Sequence, residues 1–293
     1  ILYDRGTYYW YGENKDGKTT NNGGLNRVGV IGISCYSSKD LYNWKNEGVV
    51  LPAVQDDPHS ELHTSKVLER PKVLFNTSTR RYVMWMHVDT CDYQYARAGV
   101  AIASEPCGPF RYLGSLQPNG ADSRDMTVFQ DRDGKAYLIF SSEWNKSMHV
   151  VLLDEEYLHP SPVEARILAG MQREAPAIFR NGNRYYLITS GCTGWDPNAA
   201  QYAIAPAPLG PWTTTGNPCV GENAELTFYG QGSFMLPVAG KENAFLFMAD
   251  LWKKDDLRDS RYAWLPVQFR DGDGGEELFI EWLASWDLSF FDR

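Results

Sequence analysis

The stretch Arg173-Glu-Ala-Pro-Ala-Ile-Phe-Arg-Asn-Gly-Asn-Arg-Tyr-Tyr-Leu-Ile188 reads as a β-hairpin. Ala177-Ile-Phe179 is a short apolar run, Asn181-Gly182 interrupts it, and a second run led by Tyr185 answers it. Asn-Gly between apolar runs is a strong hairpin signal, because both residues tolerate the positive φ that a tight type I′ turn demands. The pattern recurs along the chain. Turns rich in Gly, Asp, Asn or Arg run into aromatic-led apolar segments at five places, and the leading aromatics are Tyr8, Tyr82, Tyr137, Tyr185 and Phe245. Before four of them another apolar run completes the hairpin: Val73-Leu-Phe75, Thr127-Val-Phe129, Ala177-Ile-Phe179 and Ser233-Phe-Met-Leu236.

The leading aromatics stand 74, 55, 48 and 60 residues apart, longer than the roughly 40 to 50 residues of WD40 and kelch units. A third strand and a Gly-Pro-aromatic or Trp-centred corner follow most hairpins, as in Gly99-Val-Ala-Ile102 with Gly108-Pro-Phe110, and Tyr202-Ala-Ile204 with Gly210-Pro-Trp212. No stretch keeps an apolar i, i+3, i+4 rhythm over three turns, so the chain is all-β. A β-sandwich accounts for alternating strands over about 100 residues but gives no reason for a fivefold repeat. About five sheets, none able to bury both faces alone, pack best radially. The fold expected is a five-bladed β-propeller, one catalytic domain over residues 1–293. The repeat offset puts the first strand of blade one before Ile1, and Leu278-Phe-Ile-Glu-Trp282 is expected to complete the blade that the N-terminus opens.

Composition narrows the partners. Of 293 residues, 28 are Lys or Arg and 37 are Asp or Glu, a formal charge of −9. Displacing counterions from a nucleic acid or an anionic bilayer takes clustered cations, so neither is an expected partner. Apolar runs break after four to seven residues, short of the ~20 that span a bilayer. Cys35, Cys91, Cys107, Cys192 and Cys219 show neither CxxC nor Cys/His spacing, so no zinc site is expected. Their odd number leaves at least one free thiol, and disulfide pairing stays open. No cofactor or metal is expected; a structural calcium ion in the channel stays open, although no EF-hand-like run is present.

In a propeller the first strand of each blade lines the central channel, so residues leading into those strands converge from different blades. Reading about four residues before each first-strand run finds Glu69, Asp125, Glu174 and Gln231, which precede the next leading aromatic by 13, 12, 11 and 14 residues. That near-constant offset gives them equivalent places in successive blades. Clustered carboxyls repel one another and lose hydration, which raises one or more pKa values unless cations compensate, and function is one reason to tolerate the cost. The plainer alternative pairs Glu69 and Glu174 with Arg70, Arg173 or Arg124 beside them. Two carboxyl-type groups across a pocket, without metal spacing, a GxSxG elbow or a phosphate-cradling glycine loop, suit glycoside hydrolysis: one protonated acid serves the leaving oxygen while a second group handles water. Trp195 and Tyr93 follow second strands and suit stacking on the apolar face of a pyranose.

Seven segments carry a family resemblance: Gly6-Thr-Tyr-Tyr-Trp-Tyr-Gly-Glu-Asn-Lys15, Glu69-Arg-Pro-Lys-Val73, Arg124-Asp-Met-Thr-Val-Phe129, Arg173-Glu-Ala-Pro-Ala177, Thr193-Gly-Trp195, Gly230-Gln-Gly-Ser233 and Glu281-Trp-Leu-Ala-Ser-Trp-Asp287. Over nearly the whole chain they resemble glycoside hydrolase family 43, the five-bladed propeller glycosidases, and within it the exo-β-1,3-galactanase and β-galactosidase branch. The resemblance implies an inverting hydrolase. Glu174 would protonate the leaving oxygen, Asp125 would hold that acid's pKa and orientation, and Glu69 would be an acid near the sugar. Glu13 would accept a hydroxyl, and Thr193 would lie with Trp195 at the substrate. Most of the family uses an Asp base whose place here precedes Ile1, whereas the galactanase branch has a Gln at the Gln231 position. An amide carbonyl accepts a hydrogen bond but takes a proton only in strong acid. Gln231 is therefore assigned to positioning the attacking water, and the identity of the base stays open.

The activity this implies is release of galactose from the non-reducing end of β-1,3-galactan, such as the arabinogalactan backbone. An α-L-arabinofuranosidase or β-xylosidase of the same family, or a carbohydrate-binding propeller without turnover, are the alternatives; a phosphorylase would need a basic cluster. An oligosaccharide or polysaccharide partner, a monomeric state and a secreted or periplasmic location complete the expectation.

Overall fold

The computed structural model describes residues 1–293 apart from Asp16, Lys18, Gly23, Gly24, Asp273, Gly274 and Arg293. Five antiparallel sheets follow one another along the chain and form the blades of a propeller. The first blade holds Leu2–Asp4, Thr7–Asn14, Gly32–Ser38 and Lys45–Pro52. The second holds Val67–Asn76, Arg81–Asp89, Arg97–Ala103 and Arg111–Leu116, and the third Met126–Gln130, Ala136–Ser142, Ser147–Leu153 and Pro160–Ile167. The fourth holds Arg173–Asn181, Arg184–Gly191, Gln201–Ala205 and Thr213–Gly216. The fifth holds Gln231–Pro237, Phe245–Leu251, Arg261–Gly272 and Gly275–Glu281, with Cys219–Val220 added alongside the last. The hairpins fall where the turns require: Phe75 faces Tyr82, Phe129 faces Tyr137, Arg180 faces Tyr185 and Pro237 faces Phe245.

The second blade shows why the packing is radial. Its second strand is buried on both faces, and side chains alternate across a strand. Tyr82, Met84, Met86 and Val88 therefore join Tyr11, Ile33 and Val50 of the first blade, while Val83 and Trp85 join Val128, Leu138 and Phe140 of the third. Every seam between neighbouring blades has such a core, and the fifth seam closes the ring through Tyr8, Leu236, Leu246 and Met248. A sandwich packs a single layer between two sheets and would leave one of these two faces in water.

Two expectations about the closure are corrected. Strand Gly275–Glu281 does not complete the first blade; it pairs with Arg261–Gly272 in the fifth. Its Leu278 and Ile280 fill the core between the fourth and fifth blades, and moving the strand would strip them from it. The first blade has its own innermost strand, Leu2–Asp4, paired with Thr7–Tyr9, so its first strand does not lie wholly before Ile1. The C-terminal segment bridges the last blade to the first: Trp286 donates from Nε1 to the Trp264 carbonyl of the fifth blade (2.6 Å), and the Leu288 amide donates to the hydroxyl of Tyr42 in the first (2.8 Å). Among the described residues no helix is long and apolar enough to cross a membrane.

Candidate active site

Three first strands slip register at or beside the axial residue: between Glu69 and Lys72, between Glu174 and Ala177, and between Gly232 and Phe234. In the first two the next residue is left-handed, Arg70 at φ 55° and Ala175 at φ 52°. Pro71 and Pro176 follow, where the interrupted ladder asks for no N–H donor. A bulge bends its strand and re-aims side chains. This is the local meaning of the repeated Glu-x-Pro: it turns Glu69, Arg70 and Glu174 into the channel.

Glu69, Asp125, Glu174 and Gln231, from four blades, all line one cavity of about 260 Å³, and Glu13, Tyr93 and Trp195 share it. A larger hollow of about 550 Å³ shares Glu13, Arg70 and Trp252 but none of Asp125, Glu174 and Gln231, so chemistry rather than volume selects the smaller one. Thr193 lies outside the cavity, a correction to its expected place at the substrate. Its hydroxyl donates to the Asp196 carbonyl (2.6 Å) and accepts from Asn198 (2.7 Å), bracing the loop that carries Trp195.

Arg70 organises the charges. Its Nε and Nη2 grip both oxygens of Asp125 (3.1 and 3.0 Å), Nη1 reaches Asp250 (3.2 Å), and Nη2 also donates to Gln231 Oε1 (2.6 Å). The neighbouring-arginine alternative thus fails. Arg70 serves acids of other blades, Arg173 bonds Thr189 and the Ala199 carbonyl, and Arg124 pairs with Asp122. Without such a partner, burial and then the Asp125 charge push the Glu174 carboxyl up to about 8, against the pull of Arg70. That rise favours the protonated carboxyl near neutrality. Gln231 Nε2 donates to its Oε1 and Asn145 Nδ2 to its Oε2, both at 2.9 Å.

Glu69 is the opposite case. Burial would raise it, but the His87 contact and the Lys15 charge prevail and hold it well below the usual carboxylate range. The Tyr93 hydroxyl donates to Glu69 Oε1 (3.0 Å), and His87 lies between Glu69 (3.4 Å) and Asp89 (2.9 Å). Burial works against the imidazolium, yet those two carboxylates lift His87 to about 9. One cavity therefore holds one protonated and one ionised carboxyl, the division of labour that acid–base chemistry needs.

Gln231 departs from its expected role. Its Oε1 accepts from Arg70 and from Trp252 Nε1 (3.1 Å), and its Nε2 donates to Glu174 and to Ser190 Oγ (3.0 Å). An amide offers two donors and two lone pairs, so all four are engaged. Two obligate donors on the oxygen also fix which way the amide points. Gln231 stands beside the acid at hydrogen-bond distance, not across the pocket from it, and has no lone pair left to position water.

The profile of "Glycosyl hydrolases family 43" matches residues 1–256. The chain belongs to glycoside hydrolase family 43. Among solved structures it is similar to a family 43 β-1,3-galactosidase (38% identity, TM-score 0.91, covering 99% of this chain and 59% of that one). A second β-1,3-galactosidase, solved with galactodeoxynojirimycin, is 38% identical (TM-score 0.90, 98% and 94% covered). The exo-β-1,3-galactanase from Phanerochaete chrysosporium, solved with galactose, is 35% identical (TM-score 0.84, 95% and 61% covered). A β-D-galactofuranosidase of Aspergillus niger is 26% identical over 243 residues, 78% of this chain and 68% of that protein. The chain spans about three fifths of the length of two of these relatives.

In this family 43 chain the aromatic side chains are partly committed. The Tyr93 ring packs on His87 (5.9 Å, 22°), with the Arg27 guanidinium 3.9 Å from its centroid, so it reaches the site through its hydroxyl instead of offering a free stacking face. Trp195 meets Trp252 edge-on at 5.0 Å. Glu13 pairs with Lys15 (2.9 Å), and its burial raises its pKa against that pull. Trp195 Nε1 and Asn145 Oδ1 are buried without a partner among the described residues, and sugar hydroxyls could satisfy both. Glu69, His87 and Asp125 bring candidate metal-ligand atoms within 4.8 Å of one another. Asp125 among them is already gripped through both oxygens by Arg70.

His87, Ser190, Asp250, Trp252 and Asn145 were missed in the sequence. A signal existed for the first three, since they lie opposite Glu69, Glu174 and Gln231 in register. Counting equally far on both sides of each hairpin turn lands one residue beyond them, on Val88, Gly191 and Leu251, because each first strand carries a bulge.

Proposed function

We propose that the chain cleaves β-1,3-linked galactan from its non-reducing end with inversion, releasing galactose. The observation that carries this is the divided state of Glu174 and Glu69 on one cavity. Glu174 gives its proton to the glycosidic oxygen as the bond to C1 breaks. Water attacks C1 from the opposite face and passes a proton to Glu69, the ionised carboxylate of the cavity. A single displacement of this kind inverts the anomeric centre. A cavity of about 260 Å³ suits one terminal sugar ring, in keeping with exo action. Relatives at 35 to 38% identity, two β-1,3-galactosidases and an exo-β-1,3-galactanase, support galactose as that ring.

Proton NMR of a β-1,3-galactan digest tests the reading: galactose should appear first as the α-anomer, without shorter oligosaccharides accumulating, while arabinoxylan is left intact. Release of arabinose or xylose, or β-galactose as the first product, would sink it. The pH profile adds a check on the acid. In wild type, kcat/KM should fall as pH rises through about 8, where Glu174 loses its proton. Asp125→Asn removes a charge that raises Glu174 and frees Arg70, and both effects lower the pKa. The alkaline limb should then move down by about one unit or more. A limb that stays in place would remove Asp125 from the account.

A further inference from the structure

The active-site cavity continues outward past Trp252. Trp195 and Trp252 line the cavity and also, with Tyr229, a small hollow beside it. Tyr229 and Trp252 in turn line an open cleft of about 830 Å³ together with Phe228 and Trp282. Topology puts these residues on one face of the ring. Tyr229 precedes the first strand of the fifth blade, Trp252 follows its second and Trp282 its fourth, and antiparallel strands return to the same edge. The result is a radial aromatic track, Trp195, Trp252, Tyr229 and Trp282, that starts at the acid's own cavity. Tyr229 is 55% exposed and Trp282 49%, and large aromatics left open beside a polar pocket mark a binding surface.

We propose that this track holds the leaving-group side of the galactan chain as successive subsites running outward from Trp195 and Trp252 over Tyr229 to Trp282. The inference rests on the galactan reading and extends it to chain length. The track is continuous with the cavity through rings they share. Its aromatic faces suit the C–H faces of pyranose rings. Glu222, Asn223 and Glu281 line the outer cleft and accept hydrogen bonds from hydroxyls, and no Lys or Arg is among its described lining residues. Acidic rims of this kind repel a uronic acid and admit a neutral sugar, so the occupant is a neutral polysaccharide.

The test compares β-1,3-galactobiose with β-1,3-galactotetraose. In wild type kcat/KM should be higher on the tetraose, because only the longer chain reaches Tyr229 and Trp282. Trp282→Ala and Tyr229→Ala should each lower kcat/KM on the tetraose by roughly five- to tenfold, mainly through KM, and leave the galactobiose value unchanged. Both side chains are half exposed, so the fold should survive, and unchanged thermal melting confirms that. Wild-type rates on both sugars with no tetraose-specific loss in either variant would overturn the track and leave the galactan reading standing. A wild type that cleaves neither sugar would overturn the galactan reading and this inference with it. A dimer that Trp282→Ala dissociates, seen by sedimentation, would mean that a second copy covers the cleft, and would also overturn it.

Discussion

Glu174→Gln is expected to lower kcat on β-1,3-galactan by about 10³-fold, within the range that general-acid catalysis supplies. The amide fills the carboxyl's space and still offers an oxygen to Asn145 or Gln231, so binding should persist while the proton for the leaving oxygen is lost. The loss should depend on the leaving group. An aryl β-galactoside with an acidic phenol departs without protonation, and on it the deficit should shrink to about tenfold. Glu69→Gln should behave differently and be impaired on both substrates, because the attacking water must surrender its proton whatever leaves. Steady-state kinetics on the two substrates separate these outcomes. Equal deficits for Glu174→Gln on galactan and on the aryl galactoside would remove Glu174 as the acid.

Arg70→Met should destabilise the protein by about 3 to 5 kcal/mol at pH 7, the usual cost of breaking a buried ion pair from one side. Its guanidinium is held by Asp125, Asp250 and Gln231 at 2.6 to 3.2 Å, with only 9% of the side chain exposed. Methionine fills comparable volume but removes the cation that Asp125 and Asp250 both touch, leaving them only the longer-range charges of Lys72 and Lys15. Burial already raises Asp250, with Arg70 opposing it, so removing Arg70 raises it further. A carboxyl whose folded pKa lies above its unfolded value destabilises the fold at high pH and not below both values. The deficit should therefore shrink as pH falls through the raised pKa of Asp250. Urea unfolding at pH 7 and pH 5 measures both effects. A loss below about 1 kcal/mol at pH 7 would place Arg70 among the weakly contributing ion pairs.

Much of the propeller was legible because its signals are local. Asn181-Gly182 and Asp133-Gly134 sit between apolar runs, and both turns fall where the pattern puts them. The fifth blade's last strand was misplaced because closure is a contest between two partners distant in sequence, decided by which core takes Leu278 and Ile280. The axial residues were legible through their constant offset, even though Pro71 and Pro176 were not recognised as bulge markers. Thr193 misled because adjacency to Trp195 in sequence is not adjacency in space: the two side chains leave the loop in different directions, one braced by Asn198 and one against Trp252. Gln231 misled because the saturation of an amide is a property of its neighbours, and Trp252 and Arg70 come from elsewhere in the chain.

What the amino-acid order settled unaided is periodic: five blades, the sense of each hairpin, and the equivalence of Glu69, Asp125, Glu174 and Gln231, because turn chemistry and strand alternation act over a few residues. What only the folded molecule decided is which carboxyl keeps its proton and which cation answers which acid. Arg70 meets Asp125 across 55 residues, Gln231 across 161 and Asp250 across 180. Charge state depends on distance and burial, and neither exists until the ring has closed.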